Sequence, residues 1–125
     1  MSVNDQALAV LHALNARNFE GLMAGFDDEA ILDLPDGIRV VGSASLRDTL
    51  SAYVLRHDMS LEDFVVMTDE AGFRVGIECT LKGRNHRTVD APAGNDSAYS
   101  LAAVVVLERG EERFSRLSLF TASLP

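Results

Sequence analysis

An unbroken apolar run in the second half of the chain constrains the fold more than any other feature. Residues 101–107, "LAAVVVL", contain no polar side chain. Successive side chains of a β-strand point to opposite faces of a sheet, so a strand with this composition has no face suited to water. We therefore predict a central strand that is covered on both sides.

The strands around this run are predicted from alternation and from turn residues. An antiparallel, half-buried strand is indicated where apolar residues alternate with polar residues or glycine. Its apolar positions are Phe73, Val75, Ile77, Cys79 and Leu81. The preceding segment "SLEDFVVMTDE" joins it through a turn at 70–72, and Arg109-Gly110 turns the apolar run into "EERFSRLSLFTASL". Residues 83–96 are predicted to form a long connection or an irregular strand extension.

The first half of the chain shows helical spacing instead. One helix is predicted over residues 4–16, a shorter one follows, and a third ends near His57-Asp58. The candidate N-caps are Ser2 or Asn4, then Asn18, then Ser43 or Ser45. The apolar stripes are Ala7, Val10, Leu11 and Leu14; Phe19, Leu22, Met23 and Phe26; and Leu46, Leu50, Tyr53 and Val54.

This order of elements predicts an α+β domain, with three N-terminal helices packed on one face of a curved, mainly antiparallel sheet. The 125 residues suit a single domain over 1–125. Helices cover only one face of such a sheet, so the apolar run at 101–107 calls for a second cover. A partner subunit is the simplest cover, and we predict a homodimer packed sheet against sheet.

Charge and composition argue against several classes of partner. A net charge of −8, with no basic stripe, disfavours nucleic acid and anionic membranes. No apolar run approaches the roughly 20 residues that span a bilayer. The single cysteine excludes an internal disulfide, and "MSVNDQ" lacks the features of a secretory signal. We expect a cytoplasmic protein.

The hairpin between the second and third helices contains two acidic candidates. The run Ala30–Leu34 alternates, "PDG" turns the chain, and "IRVVG" supplies a second strand. Asp36 lies in the turn, where aspartate is favoured because it bonds its own backbone, so a turn role is favoured over a catalytic one. Asp33 is interpreted as a solvated residue, because charges are almost never buried unpaired, and the family resemblance described below implies that it faces outward.

Segments of the first half resemble a known superfamily. They are "ALAVLHALNARNFEGLMAGFDDEAILDLPDG" and "RVVGSASLRDTLSAYV". The chain here is similar to the opening of the nuclear transport factor 2-like superfamily, and within it to the SnoaL-like and ketosteroid isomerase-like proteins. The resemblance implies a cone-shaped half-barrel with a pocket between helices and sheet, and it commonly implies dimers. It does not fix a reaction, because this fold hosts several unrelated activities.

The same resemblance implies that the residues of ketosteroid isomerases are missing. The catalytic aspartate of those enzymes precedes the hairpin proline, where this chain has Leu34 before Pro35. Two of their tyrosines align with Val10 and Leu50, and their protonated aspartate falls near Ala103. Apolar groups neither transfer protons nor stabilise an enolate, so steroid isomerisation by that mechanism is not expected.

Other motifs for cofactors or nucleophiles are absent from the sequence. His12, His57 and His86 show no zinc-ligand spacing, and no phosphate-binding glycine loop or nucleophile elbow occurs. Cys79 shares a face with apolar residues, which favours an inert core thiol. We predict neither a metal site nor a cofactor.

The last strand leaves two registers open. Arg116 and Phe120 share one face with Phe114 and Ser118, and leucines occupy the other. If Phe120 points into the pocket, as the resemblance suggests, Arg116 points there too and needs an anionic ligand or acidic partner. In the other register the leucines face inward and Arg116 meets solvent.

We predict a pocket that binds a small, largely apolar or amphipathic organic molecule. Its predicted lining residues are Leu34, Tyr53, Ile77, Cys79, Tyr99, Arg116 and Phe120. One alternative is a SnoaL-type isomerase, cyclase or hydrolase with Asp36, His12 or Tyr99 as a nonstandard acid or base. The other is a non-catalytic binding or dimerisation module.

Overall fold

The structure is a computed structural model that describes residues 2–85 and 97–125. The described residues form three helices and six strands. They are α1 (Val3–Asn15), α2 (Phe19–Met23), β1 (Phe26–Asp33), β2 (Arg39–Val41), α3 (Ser43–His57), β3 (Ser60–Thr68), β4 (Arg74–Asn85), β5 (Ser97–Arg109) and β6 (Phe114–Thr121).

All six strands belong to one sheet with the order β2-β1-β6-β5-β4-β3. Every neighbouring pair is antiparallel except β1 and β6, which run parallel. The helices pack on one face of this sheet, so the predicted α+β architecture is confirmed. The strand that contains the apolar run, β5, lies between β4 and β6 and is central, as predicted.

The hydrophobic core lies between the helices and the inward face of the sheet. The predicted apolar stripes of α1 and α3 are buried, and none of their side chains is more than 6% exposed. From β4 and β5 every second side chain enters the same layer, which includes Ile77 opposite Val105 and Cys79 opposite Ala103. The alternation predicted for β4 is therefore confirmed from residue 75 onward. Phe73 does not join it, because it precedes the strand and is 58% exposed.

The ends of the helices follow most of the predicted caps. The Ser2 hydroxyl accepts a hydrogen bond from the Asp5 amide, and the Asn18 side chain accepts one from the Gly21 amide. The prediction that Ser43 or Ser45 caps α3 is wrong. Gly42 holds the cap position at a φ of 106°, which a glycine adopts without strain, and no side chain of the described residues caps this helix. Phe26, predicted on the stripe of α2, instead begins β1.

The second face of β5 is not covered within one chain. Ala102 is exposed, whereas Val104 and Val106 are half-buried. The predicted cover of β5 is therefore observed on the helix side only. The homodimer that would cover the second side stays a prediction. The first three residues of the predicted connection at 83–96 belong to β4. The rest of it, residues 86–96 with His86, lies outside the described residues. Among residues 2–85 and 97–125, no helix is long and apolar enough to cross a membrane.

Candidate functional site

A cavity of about 350 Å³ lies between α3 and the turn that joins β1 to β2. Its apolar wall comes from both elements, through Leu34 and Ile38 of the turn and Ala52 and Tyr53 of α3. Its polar lining residues are Asp36, Asp48, Thr49 and Arg56. The arrangement, an apolar wall with a few polar groups at its edge, is typical of a small-molecule site. We call it the α3-turn cavity.

The turn is built by the residues that the sequence placed there. The amide of Ile38 donates to Oδ1 of Asp36 over 3.0 Å, and the amide of Leu34 donates to the carbonyl oxygen of Ile38 over 2.9 Å. Gly37 has a φ of 91°, a conformation that favours glycine. The predicted turn role of Asp36 is confirmed, and the same side chain also lines the cavity.

Tyr53 contributes an unpaired hydroxyl group beside this cavity. The side chain is 6% exposed, and its hydroxyl is buried with no hydrogen-bond partner among the described residues. Burial, reinforced by the negative charge of Asp36, raises the pKa of Tyr53 to about 12. The phenol is therefore protonated at neutral pH and available as a hydrogen-bond donor.

The neighbouring tyrosine has its hydroxyl engaged. The Tyr99 hydroxyl donates to the backbone carbonyl oxygen of His57, 3.2 Å away, at the end of α3. The His57 ring lies against the Tyr53 ring with 4.5 Å between centroids. Burial, assisted by the positive charge of Arg56, lowers the pKa of His57, so the imidazole is neutral at neutral pH.

Of the seven predicted lining residues, two line this cavity. They are Leu34 and Tyr53. Ile77 and Cys79 face the same side of the sheet but are packed in the core, with exposures of 0% and 5%. Burial raises the pKa of the Cys79 thiol to about 11, which fits the inert thiol that the sequence indicated.

Arg116 and Phe120 do not lie on the side of the helices. Leu117 and Leu119 face inward with exposures of 2% and 3%, whereas Phe120 is 56% exposed on the opposite face. The inward placement of Phe120 and Arg116 is therefore wrong, and the register with leucines inside is the observed one. Phe114 is nevertheless buried.

A β-bulge explains why Phe114 departs from its predicted face. Arg109 pairs with Phe114, and the next pair along is Glu108 with Arg116. Between these two pairs β6 therefore has one residue more than β5. Such an extra residue shifts the side chains that follow it to the opposite face of the sheet.

Arg116 belongs to a row of alternating charges on that outer face. Its guanidinium contacts Oε1 of Glu108 at 3.0 Å and Oδ2 of Asp33 at 3.8 Å. Arg39 continues the row beyond Asp33, and Arg74 continues it beyond Glu108 at 3.0 Å. We call the row Arg39, Asp33, Arg116, Glu108 and Arg74 the charge ladder.

Asp33 is thus paired rather than simply solvated. Its side chain points outward as predicted but is only 22% exposed, and it accepts hydrogen bonds from Arg39 and from the Ser118 hydroxyl. The hydrogen bond from Arg39 is the main cause of a lowered pKa, with Ser118 and Arg116 adding to it against the effect of burial. The carboxylate is held ionised by its neighbours.

The remaining candidates lie away from the cavity. His12 is exposed, and its ring meets the Phe64 ring edge-on with 6.0 Å between centroids. No group of three or more His, Cys, Asp or Glu side chains that could hold a metal ion occurs in the part of the chain that the structure describes.

Apart from Tyr53, the sequence did not point to the residues that α3 adds to the cavity. Thr49 with Tyr53, and Ala52 with Arg56, are spaced i, i+4, so they form a stripe beside the buried face of the helix. That stripe could have been read from the sequence, but it identifies a cavity only once the β1–β2 turn is known to lie over it.

The overall fold is shared with solved structures of low sequence identity. A proposed polyketide cyclase of Xanthomonas campestris superposes with a TM-score of 0.84 at 23% identity, over 94% of this chain and 88% of the other. For a proposed polyketide cyclase of Pseudomonas putida the TM-score is 0.82 at 23% identity, over 96% and 91%. A proposed ketosteroid isomerase of Kribbella flavida gives a TM-score of 0.75 at 21% identity, over 98% and 79%.

Other matching structures are described as NTF2-like, as SnoaL-like and as a cystatin fold. The fold expected from the resemblance is therefore confirmed. No protein-family model and no curated protein sequence matches the chain.

Proposed function

We propose that this protein binds a small, largely apolar organic molecule in the α3-turn cavity. The observation that carries the proposal is the Tyr53 side chain, which lines the cavity and whose buried hydroxyl has no hydrogen-bond partner among residues 2–85 and 97–125. A buried polar group left unpaired costs about 1–3 kcal/mol. The hydroxyl is closed off from solvent, so a ligand recovers that free energy only if it displaces part of the cavity wall and accepts a hydrogen bond from the phenol.

The cavity favours a neutral, mainly apolar ligand. Leu34, Ile38 and Ala52 offer apolar surface, and the volume of about 350 Å³ falls within the range of small-molecule pockets. Asp36 and Asp48 both line the cavity, so an anionic ligand meets like charge that Arg56 offsets only in part. A ketone, quinone or ether oxygen is an acceptor without that penalty.

Binding without turnover is better supported than catalysis. Of the three nonstandard candidates, Asp36 fixes the turn, Tyr99 is engaged with a backbone carbonyl, and His12 lies outside the cavity. A general acid or base must reach the substrate, and of these three candidates only Asp36 lines the cavity. The activities in the descriptions of the structural neighbours belong to those proteins, and they support here only the use of this fold for small organic molecules.

Thermal unfolding with a panel of neutral aromatic ketones and quinones, headed by 1,4-naphthoquinone and 2-acetonaphthone, tests the proposal. We expect at least one compound to raise the midpoint and to bind with a dissociation constant measurable by titration calorimetry. Ala52→Trp fills the cavity and should abolish that binding.

Tyr53→Phe removes only the hydroxyl and should weaken binding about 5- to 30-fold, which corresponds to roughly 1–2 kcal/mol. Tyr99→Phe is the matched control and should retain affinity. If Ala52→Trp binds as the parent does, the site lies elsewhere, and if no compound binds, the proposal fails.

The enzymatic alternative has its own test. The compound that binds best is incubated with stoichiometric protein and followed by NMR. If the parent protein converts the compound, and if Asp36→Asn abolishes the conversion without unfolding the protein, the result favours a SnoaL-type enzyme. An unchanged spectrum supports binding alone.

A further inference from the structure

A second cavity, of about 250 Å³, lies between α1, α2 and the turn that joins β5 to β6. We call it the α1-α2 cavity. Gly25 lines it just before β1 begins, whereas Leu34 lines the α3-turn cavity just after β1 ends, so the two cavities lie at opposite ends of that strand. Sites for drug-sized molecules begin at roughly 300 Å³, so the α1-α2 cavity suits a smaller ligand.

The β5–β6 turn forms one wall of this cavity and is held on two sides. Nε2 of Gln6 donates to the backbone carbonyl oxygen of Glu112 over 3.2 Å, which ties the turn to α1. The amide of Phe114 donates to the carbonyl oxygen of Gly25 over 2.8 Å, which ties the turn to the end of α2. The backbone of Glu112 and Arg113 is therefore fixed beside the cavity, although both side chains are exposed.

The walls from α1 and α2 are apolar and made of small residues. They are Ala9, Val10, Gly21, Leu22, Ala24 and Gly25. A Cβ atom at Gly25 would stand 3.4 Å from Cγ2 of Val10, so a side chain at this position would take up part of the space. These walls suit an aliphatic group of a few carbon atoms, which gains free energy when it leaves water.

Three polar side chains with different chemistry line the same cavity. Arg113 supplies a guanidinium group and Glu112 a carboxylate, and neither has an ion pair among residues 2–85 and 97–125. Gln6 supplies an amide oxygen, Oε1, which is buried and has no hydrogen-bond partner among the same residues. This oxygen is closed off from solvent, so a donor reaches it only after a neighbouring side chain moves. The exposed side chains of the turn change rotamer rapidly.

The opposite charges at the cavity restrict the class of ligand. A lone anion would pair with Arg113 but meet the like charge of Glu112, and a lone cation would meet the reverse. The adjoining hollow adds the carboxylates of Asp27, Asp28 and Glu111, which disfavours an anion further. A neutral apolar molecule would take water from both charged groups without replacing it. A small zwitterion offers each group a partner of opposite charge.

We propose that the α1-α2 cavity binds a free amino acid with a small aliphatic side chain, such as valine or leucine. The α-carboxylate of the ligand pairs with Arg113, and its α-ammonium group donates to Glu112 and to Oε1 of Gln6. The aliphatic side chain lies against the apolar walls. This inference goes beyond the proposed function and does not depend on it, because the two cavities lie at opposite ends of β1.

Titration calorimetry of the parent protein tests the class of ligand. Leucine or valine should bind with a measurable dissociation constant. Two relatives of leucine should bind at least about 10-fold more weakly, because each lacks one charge-assisted contact. They are 4-methylpentanoate, which has no ammonium group, and 3-methylbutylamine, which has no carboxylate. Equal affinity for leucine and both relatives, or no binding of either amino acid, would overturn the proposal.

Variants of the lining residues test the place of binding. Ala9→Trp fills the cavity and should abolish leucine binding, whereas Ala44→Trp replaces an exposed alanine of α3 outside the cavity and should not. Arg113→Gln and Glu112→Gln should each weaken binding about 10-fold or more. Glu111→Gln is the matched control for charge and should keep the affinity, since Glu111 does not line the cavity. Leucine binding that withstands Ala9→Trp, or that is unchanged in both Arg113→Gln and Glu112→Gln, would overturn the proposal.

Discussion

The hydroxyl of Tyr99 on β5 and the backbone carbonyl oxygen of His57 at the end of α3 are joined by a hydrogen bond of 3.2 Å. Gly83 of β4 lies directly beneath this contact. A Cβ atom at that position would stand 2.7 Å from the His57 carbonyl oxygen and 2.5 Å from Cζ of Tyr99. The helix end and the sheet therefore meet over a residue that has to be small.

Gly83→Ala should destabilise the protein by about 1–3 kcal/mol, as overpacking against backbone does. Gly76→Ala in the same strand is the matched control, because its Cβ would meet nothing nearer than the Met67 carbonyl oxygen at 4.0 Å. That variant should be neutral or slightly stabilising, since alanine has the lower conformational entropy in the unfolded chain. Urea unfolding of both variants gives the comparison, and equal losses would refute the close approach at Gly83.

The two tyrosines should respond oppositely to loss of the hydroxyl. Tyr53→Phe removes a buried hydroxyl that has no partner in the described part of the chain, so the free energy of unfolding should stay the same or rise by up to about 1 kcal/mol. Tyr99→Phe removes a hydrogen bond and should lower it by about 0.5–1.5 kcal/mol. Chemical denaturation in the absence of ligand measures both. A clear loss in Tyr53→Phe would mean that its hydroxyl has a partner.

Asp33 should give the protein a component of stability that acid removes. Its pKa in the fold is lowered from the ordinary value of 3.8, chiefly by Arg39. Because the pKa of Asp33 is lower in the fold, the unfolded chain binds more protons than the folded one at pH values between the folded pKa and 3.8. The contribution is therefore complete above pH 3.8 and is lost as the pH falls through the lower folded value.

Urea unfolding at a series of pH values tests this dependence. Asp33→Asn should be less stable than the parent near neutral pH, and the difference should shrink below about pH 4. Arg39→Met removes the main cause of the lowered pKa of Asp33. This variant should therefore lose its acid-sensitive stability at a pH nearer 3.8. A constant gap between parent and Asp33→Asn across the series would show that the carboxylate is not held by its neighbours.

Cys79 should be unreactive in the native protein. Its side chain is 5% exposed and its pKa is raised to about 11, so almost no thiolate exists at pH 8. Labelling by iodoacetamide should require unfolding, and mass spectrometry should show its rate rising with urea concentration as the unfolded fraction grows. Rapid labelling without denaturant would return Cys79 to the candidates for a reactive group.

Local periodicity explains why the order of elements could be predicted. The buried stripe of α3, from Leu46 to Val54, follows from helical spacing alone, and the inward residues of β4 follow from strict alternation. The register of β6 could not be predicted in this way. Its sequence fits both facings, and the bulge opposite Glu108 and Arg109 that selects one of them leaves no local signal.

The candidate site was predicted only in part for a related reason. Leu34 and Tyr53 were identified, but the cavity between them depends on how the β1–β2 turn lies over α3, which is a tertiary relationship. One partner of Asp33, Arg116, was equally hidden. Asp33 meets Arg116 through the parallel pairing of β1 with β6, and no hairpin or turn signal links strands so far apart in sequence.

That parallel pairing also governs when the protein becomes able to fold during its synthesis. Leu32 of β1 pairs with Leu117 of β6, so a strand made early on the ribosome waits for the last strand of the sheet. Before β6 is made, β1 with β2 and β3 with β4 and β5 can form only two separate sheets, and a two-stranded ribbon such as β1–β2 is marginally stable in water. Contacts this distant along the chain slow folding and leave apolar surface exposed meanwhile. The two parts of the sheet can therefore join only after β6 has been synthesised, which makes completion of the core a late event in translation.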